Sequence, residues 1–201
     1  QGFSRWQWLG IIITFCFATE VACAETTTHL PNEIETEESQ VAAAKDVRLS
    51  LGLYFDPQHA LSVTDIATPA KLAQFQTLPA QHVSVGYTDA TVWLSLHAQF
   101  SRNHSEPLFI SIDNPLLQQV DCYQLPSIAQ QPVYLGRAGS QVAPAQRLFF
   151  ATSIYFPLPA QQTETAQYLC KIISQTSLAR PIAVLPASAV ATKIYYEHFW
   201  F

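Results

Sequence analysis

The stretch Thr91–Phe100, with the sequence TVWLSLHAQF, constrains the fold most, because its side chains alternate with a period of two. Successive side chains of a β-strand point to opposite faces of its sheet, so this alternation predicts a half-buried strand. The aliphatic face carries Val92, Leu94, Leu96, Ala98 and Phe100. The opposite face carries Trp93, Ser95, His97 and Gln99.

Other segments of the same kind occur along the chain. They are short, rich in β-branched and aromatic residues, and separated by Pro, Asn, Asp, Ser and Gly. The predicted strands are residues 48–55, 108–113, 119–125, 132–136, 148–156, 167–173 and 181–185. Short strands at this spacing favour an all-β fold, either a sandwich or a jelly roll. Residues 62–75 have a weak helical pattern, which Pro69 limits to a turn or two.

Residues 1–24 have the order of a secretory signal. Arg5 precedes an apolar run at residues 9–18, and Ala22-Cys23-Ala24 forms an A-x-A cleavage pattern. An uncleaved anchor is the alternative, although the run is short for a membrane span. The chain contains no methionine, so we expect it to be a piece of a longer protein.

The net charge of −5 is concentrated in one segment. Residues 25–38 contain five glutamates and no Lys or Arg. Such a stretch cannot bury apolar surface, so we interpret residues 25–47 as an acidic disordered linker, with an interaction tail as the alternative. The remaining chain has equal numbers of acidic and basic side chains, and nothing in its charge predicts a nucleic acid partner.

No segment carries a recognised catalytic motif. The sequence has no G-x-S-x-G, H-E-x-x-H, G-x-G-x-x-G or P-loop pattern. Its six histidines are scattered without an H-x-x-x-H pair, so a metal site would have to be assembled by the fold. We therefore expect no enzymatic activity, no cofactor and no metal.

Four side chains are candidates for ligand contact. Trp93 lies opposite the aliphatic face, where its ring could support a sugar or another flat apolar surface; the alternative is that it fills a core. Three basic residues lie in apolar surroundings, namely Arg137, Arg147 and Lys171. Each could bind an anionic ligand or pair with Asp113 or Asp121.

Two cysteines, Cys122 and Cys170, remain if cleavage removes residues 1–24. An even pair of cysteines in an oxidising compartment favours a disulfide. Two separate buried thiols, which behave as small apolar side chains, are the alternative.

A series of short motifs resembles a known family. The motifs are LGLYFDP at 51–57, GYTDATVWL at 86–94, LFISIDNPLLQQVDCY at 108–123, YLG at 134–136 and LCKIIS at 169–174. In this order they resemble the type 2 extracellular domain of bacterial 7TM receptors with diverse intracellular signalling modules (7TMR-DISM), over about residues 48–189. Trp93, Arg147 and Lys171 match positions of that family, whereas Ser95 and Arg137 depart from its usual residues.

The resemblance implies a jelly-roll β-sandwich similar to carbohydrate-binding modules. It places the chain at the periplasmic face of the bacterial inner membrane, as the sensor end of a receptor with a cytoplasmic diguanylate cyclase or histidine kinase. The predicted layout is a sensor domain at 48–190 and an aromatic segment at 191–201, which leads toward a membrane span or packs as a last strand. Expected partners are a small ligand, with carbohydrate as one class, the membrane, and a second copy in a homodimer. A secreted carbohydrate-binding module and a protein-interaction domain are the alternatives.

Overall fold

The computed structural model describes residues 47–78, 82–101, 106–126, 131–147, 149, 151–160 and 164–199. The predicted signal at 1–24 and residues 25–46 of the predicted linker lie outside the described residues. Trp200 and Phe201 of the aromatic segment also lie outside them.

The described residues form ten strands and three helices. The strands are β1 (Val47–Asp56), β2 (Gln76–Thr77), β3 (His82–Val85), β4 (Thr91–Phe100), β5 (Leu108–Ile112), β6 (Gln119–Leu125), β7 (Val133–Ala138), β8 (Ile154–Pro157), β9 (Thr165–Ile173) and β10 (Leu178–Pro186). The helices are α1 (Val63–Ile66), α2 (Pro69–Leu72) and α3 (Ala187–Phe199), and a 3-10 turn covers Pro144–Gln146. The predicted all-β class is confirmed.

The strands form two antiparallel sheets that share one core. The six-stranded sheet has the order β2-β1-β4-β9-β6-β7, and the four-stranded sheet has the order β3-β10-β5-β8. All five aliphatic-face residues of β4 are buried, as the alternation predicts. They meet apolar side chains of the other sheet, including Ile110 of β5 and Ile182 of β10. Burial of this apolar surface is the main force that holds the sheets together.

Strand boundaries differ most where irregular structure interrupts the apolar pattern. β4 and β6 have the predicted bounds. The strand predicted at 148–156 is wrong at its start, because residues 151–153 form bends and β8 begins only at Ile154. The two short strands β2 and β3 have no counterpart among the predicted strands, since so few residues produce no clear period.

The helices α1 and α2 confirm the expectation of one or two turns before β2. Ser62 caps α1: its Oγ accepts from the Asp65 N–H, and the Asp65 carboxylate accepts from the Ser62 N–H at 2.9 Å. Pro69 is the first residue of α2, a position where its missing N–H costs nothing.

Helix α3 follows directly on β10. The alternative that residues 191–201 form a last strand is therefore wrong for the described part of that segment. Residues 187–199 contain no proline, so none of them lacks the backbone N–H that a helix uses for its hydrogen bonds. Val190 and Ile194 of α3 pack in a small cluster with Tyr155 and Leu185. Among the described helices, none is long and apolar enough to span a bilayer.

Candidate functional site

Five strands of the six-stranded sheet place one residue each in a row across its outer face. From β1 through β4, β9 and β6 to β7, the row is Tyr54, Trp93, Lys171, Asp121 and Arg137. Residues opposite each other in antiparallel strands share a face of the sheet. The row therefore brings together three of the four predicted ligand residues, and it does not include the fourth, Arg147.

Trp93 is fully buried, with 0% of its surface exposed. It lies in a cluster with Ile66 of α1 and Leu169 of β9, and Leu72 and Phe75 pack against that cluster. A ring without accessible surface cannot stack on a ligand, so the expected ligand-facing role of Trp93 is corrected: it fills a small core. Alternation assigns Trp93 to the correct face, but it does not show that the α1–α2 segment covers that face.

Lys171 lies between Trp93 and Asp121 in the row. Its Nζ is 5.6 Å from the centroid of the Trp93 ring, which is the distance of a cation–π contact. At the β1 end of the row, Lys71 Nζ donates to Tyr54 Oη at 2.9 Å. Lys171 thus packs along the Trp93 ring, and the residue is half-buried.

Asp121 is the buried acceptor of a polar cluster at the other end of the row. Its Oδ1 accepts from Arg137 Nε at 2.6 Å and from Tyr134 Oη at 3.1 Å. Its Oδ2 accepts from Gln119 Nε2 at 2.7 Å and from Arg137 Nη2 at 3.3 Å. We call Gln119, Asp121, Tyr123, Tyr134 and Arg137 the Asp121 cluster. Arg137 therefore forms the ion pair with Asp121 that was the predicted alternative to binding an anionic ligand.

A β-bulge in β7 explains how Tyr134 and Arg137 reach the same carboxylate. Residues three apart in a regular strand point to opposite faces. Here Cys122 faces Gly136 while Tyr123 faces Tyr134, so Leu135 is the extra residue of the bulge. The bulge turns Tyr134 onto the face that carries Arg137.

The ionisation of the Asp121 cluster suits polar recognition at neutral pH. The hydrogen bonds and charge of Asp121 raise the pKa of Arg137. Burial, followed by the hydrogen bond to Asp121, raises the pKa of Tyr134. Burial and the Asp121 charge raise the pKa of Tyr123. The arginine therefore stays charged and both tyrosines keep their protons.

The outer side of the Asp121 cluster is accessible. The side chain of Arg137 is 51% exposed, against 4% for Asp121. Tyr134 is 52% exposed, and its ring centroid lies 5.3 Å from that of Tyr123. The cluster therefore presents an aromatic ring beside a guanidinium whose position is set from below by a buried carboxylate.

Arg147 lies beside a cavity of about 190 Å³, which we call the Arg147 cavity. The cavity is lined by Pro115, residues 138–140, Arg147, Phe149 and residues 151–155. The guanidinium donates to the carbonyl oxygens of Val142 at 2.8 Å and Ser140 at 3.0 Å. The predicted pairing of Arg147 with Asp113 or Asp121 is not found among the described contacts, because Asp113 pairs with Lys193 and Asp121 with Arg137.

Cys122 and Cys170 form a disulfide between β6 and β9. The two residues are directly opposite in the register, and both are buried in the core between the sheets. Their chain neighbours Asp121 and Lys171 point to the outer face. The disulfide therefore joins the two strands at the middle of the row.

No sequence pattern marks Gln119, Tyr123 or Tyr134 as a site residue. The grouping of these three residues depends on the bulge in β7. The one sequence feature that goes with the bulge is the glycine at position 136, where the backbone has a φ of 150° that other residues rarely adopt. Within the described ranges, no group of three His, Cys, Asp or Glu side chains could hold a metal ion.

Comparison with known proteins identifies one family. The model of the family described as 7TMR-DISM extracellular 2 matches residues 49–185, which extend from β1 into β10. No curated protein matches the chain.

Proposed function

The chain belongs to the 7TMR-DISM extracellular 2 family, a family of extracellular sensor domains of membrane receptors, and we propose that it senses a small ligand outside the cytoplasm. The family is non-catalytic, which agrees with the lack of catalytic motifs in the sequence. An exported domain of this kind transmits a signal only if its ligand binds one of two conformational or dimeric states more tightly.

We propose that the ligand is a carbohydrate and that it binds at the Asp121 cluster. A sugar offers an apolar ring face together with hydroxyl groups. The exposed ring of Tyr134 beside the half-exposed guanidinium of Arg137 suits both features, and this observation carries the proposal. Trp93 and Lys171 then act as positioning residues, which support β9 and β4 from within the row.

The strand order supports a jelly roll similar to carbohydrate-binding modules. From β3 to β10 the chain alternates between the sheets, except that β6 and β7 share one sheet. The first strand of this set, β3, pairs with the last, β10, as in an eight-stranded jelly roll made of two Greek keys. In this interpretation β1 and β2 extend the sheet beyond β4.

We propose that the full receptor lies in the bacterial inner membrane, with this domain on the periplasmic face. A diguanylate cyclase or a histidine kinase is the proposed cytoplasmic output. The support is the family alone. Sequencing the gene beyond Phe201 tests the receptor arrangement: several apolar spans are expected, and a stop codon in their place would contradict it.

A glycan array probed with the full chain tests the carbohydrate site. For a glycan that binds, Tyr134→Ala should weaken the affinity by about tenfold, which corresponds to loss of a stacked ring and its hydrogen bond. Tyr87→Ala is the matched control, because Tyr87 is an 84% exposed tyrosine in the β3–β4 loop. An array without hits, or equal loss in both variants, would contradict the carbohydrate site.

Homodimer formation is the second candidate function, and the exposed aromatic side chains of α3 favour it. Tyr195, Tyr196 and Phe199 are 57–67% exposed, and the rings of Tyr195 and Phe199 stack at 5.9 Å. Exposed aromatic residues on one helix suit an interface. Sedimentation of the native chain should show a dimer that Tyr195→Ser with Phe199→Ser dissociates, and a native monomer at high concentration would contradict this function.

A further inference from the structure

We propose that the Arg147 cavity is a second binding site, which takes a small carboxylate and alters the packing of helix α3 when it is occupied. The inference goes beyond the carbohydrate site at the Asp121 cluster, because it concerns other residues and another ligand chemistry. It depends on three features of the cavity: its guanidinium, its buried hydroxyl group and its contacts with α3.

Arg147 supplies the positive charge of the cavity. Its Nε and Nη2 each donate to a backbone carbonyl, and no carboxylate in the described part of the chain forms an ion pair with it. A guanidinium carries several N–H donors, so these two bonds leave others available. Arginine binds carboxylates through paired, charge-assisted hydrogen bonds. The cavity therefore favours an anionic ligand.

The wall that positions Arg147 is tightly packed. Gly139 has φ of +128°, a conformation that L side chains rarely adopt, and a Cβ at this position would clash with the backbone of Gln118. The N–H of Ser140 donates to the carbonyl of Leu117 at 2.8 Å. The carbonyl of Ser140 that holds Arg147 is thus anchored to the loop before β6, and the guanidinium is positioned before any ligand arrives.

Tyr155 supplies a hydroxyl group that lacks a partner. The residue lines the cavity, is 1% exposed, and its Oη makes no hydrogen bond with the described residues. Burial raises the pKa of Tyr155 to about 12, so this hydroxyl keeps its proton and acts as a donor. The Ser153 hydroxyl lowers this pKa in part, and the charges of Glu197 and Asp113 raise it further. The Ser153 proton is shared between these two carboxylates, with Oγ 2.8 Å from Asp113 Oδ1 and 3.5 Å from Glu197 Oε1. The Tyr155 hydroxyl has almost no accessible surface, so a ligand oxygen becomes its acceptor only when the wall beside α3 shifts to admit it. Because buried polar groups are normally paired, that new hydrogen bond favours the shifted wall.

The size of the cavity restricts the ligand. Its volume is about 190 Å³, and an engineered protein cavity of about 150 Å³ holds benzene. Phe149 contributes an apolar wall, with its ring edge-to-face against Tyr155 at 5.8 Å. The site therefore fits a carboxylate whose apolar part is about the size of benzene.

The cavity wall at residues 151–153 also contacts α3. The N–H of Thr152 donates to Glu197 Oε2 at 2.9 Å. Ser153 Oγ donates to Asp113 Oδ1 at 2.8 Å, and Asp113 Oδ1 lies 3.3 Å from Nζ of Lys193. Lys193 and Glu197 are one turn apart on the helix. Two residues that line the cavity therefore hold the C-terminal half of α3.

A carboxylate beside Ser153 competes with Asp113 and Glu197 for the single hydroxyl proton of Ser153. Occupancy then weakens the link from Ser153 through Asp113 to Lys193 and loosens the end of α3. Because coupling between two equilibria is reciprocal, a change that loosens α3 should strengthen carboxylate binding, at most by the factor with which occupancy favours the loosened helix.

Calorimetric titration of the full chain with benzoate tests the site, with benzamide as the neutral counterpart. Benzoate should bind about tenfold more tightly than benzamide, and Arg147→Gln should remove the difference. Arg48→Gln, the same change at an exposed arginine of β1 outside both sites, is the matched control and should leave benzoate affinity unchanged. If Arg147→Gln does not fold, Tyr155→Phe should weaken benzoate binding by about fivefold. Absence of benzoate binding, or unchanged binding in the folded Arg147 or Tyr155 variant, would overturn the proposal.

Hydrogen exchange tests the link to α3. Saturating benzoate should speed exchange of the backbone amides of residues 193–199. Glu197→Gln, which weakens the acceptor for Thr152, should strengthen benzoate binding by about twofold to fivefold, and Glu164→Gln, at the exposed residue before β9, should not. Unchanged exchange together with unchanged affinity would refute the link. Tyr134→Ala should keep benzoate binding while it loses glycan binding, which separates this proposal from the carbohydrate site.

Discussion

Reduction of the disulfide between Cys122 and Cys170 should destabilise the domain without removing any side chain from its core. The bond joins β6 and β9 at the middle of the six-stranded sheet, and both residues are fully buried. It closes a loop with a sequence separation of 48. Once it is reduced, the unfolded chain regains the freedom that the closed loop denied it.

The size of the effect follows from the loop. For a separation of 48, the chain-entropy relation predicts a loss of about 4 kcal/mol in the free energy of unfolding. Small domains are stable by roughly 5–15 kcal/mol, so this loss is a large share of the total. For a chain of this size it corresponds to a fall in melting temperature of roughly 8–16 °C.

Urea unfolding with and without dithiothreitol measures the loss. The chain should carry Cys16→Ser and Cys23→Ser, so that only the pair in the sheet can respond. A further variant with Cys122→Ala and Cys170→Ala is the control, and its urea midpoint should be the same with and without dithiothreitol. A loss below about 1 kcal/mol on reduction would refute the loop-closure reasoning, since it would mean that the unfolded chain was hardly constrained by the bond.

Four further outcomes are expected. Tyr168→Phe should raise the free energy of unfolding in urea by about 1 kcal/mol, because it removes a buried hydroxyl that has no partner among the described residues. Burial raises the pKa of Tyr155 and that of Tyr168 from 10.0 to about 12. The unfolded chain therefore releases these protons at a lower pH than the folded chain does. The free energy of unfolding should be at its full value below pH 10 and fall as the pH rises to about 12, with a shallower fall in Tyr168→Phe. Asp121→Ala should lower the free energy of unfolding in urea by about 2 kcal/mol. This is less than the loss on breaking a fully buried ion pair, because the half-exposed Arg137 can rehydrate. Gly139→Ala should lower the free energy of unfolding by about 2 kcal/mol or more, and with it the melting temperature, since the φ of +128° at this position strains any side chain. Unchanged midpoints in these variants, or a flat alkaline profile, would contradict the respective argument.

The fold follows from the sequence where one physical signal dominates. β4 has the predicted bounds because ten residues alternate without interruption against a core. In β8 and α3 no single signal dominates. Residues 151–153, directly before Ile154, form bends that line a cavity, and burial by itself does not distinguish bends from a strand. In α3, Tyr195, Tyr196 and Phe199 fit either element, and contacts made by Val190 and Ile194 decide for the helix.

The candidate sites depend on contacts between distant segments. Trp93 is assigned to the correct face by alternation, but its burial depends on Ile66 and the α1–α2 segment folding back over the sheet. Tyr134 joins Arg137 only through a bulge, and one extra residue in a strand leaves no periodic signal. Residue types therefore single out Lys171 and Arg137 as candidates but not the Tyr134 ring beside Arg137.

The balanced charge of the body of the chain hides the property that matters for ligand choice. Arg137 and Lys193 are paired with Asp121 and Asp113, so their charges are neutralised within the protein. Arg147 is held by carbonyl dipoles, which occupy two of its N–H donors without cancelling its charge. A charge that is fixed in position, lies beside a cavity and is not neutralised attracts an anion far more than the sequence average indicates. Arg147→Lys tests this distinction: it keeps the charge but loses the planar fork, so benzoate should still bind better than benzamide, with an advantage of less than about tenfold.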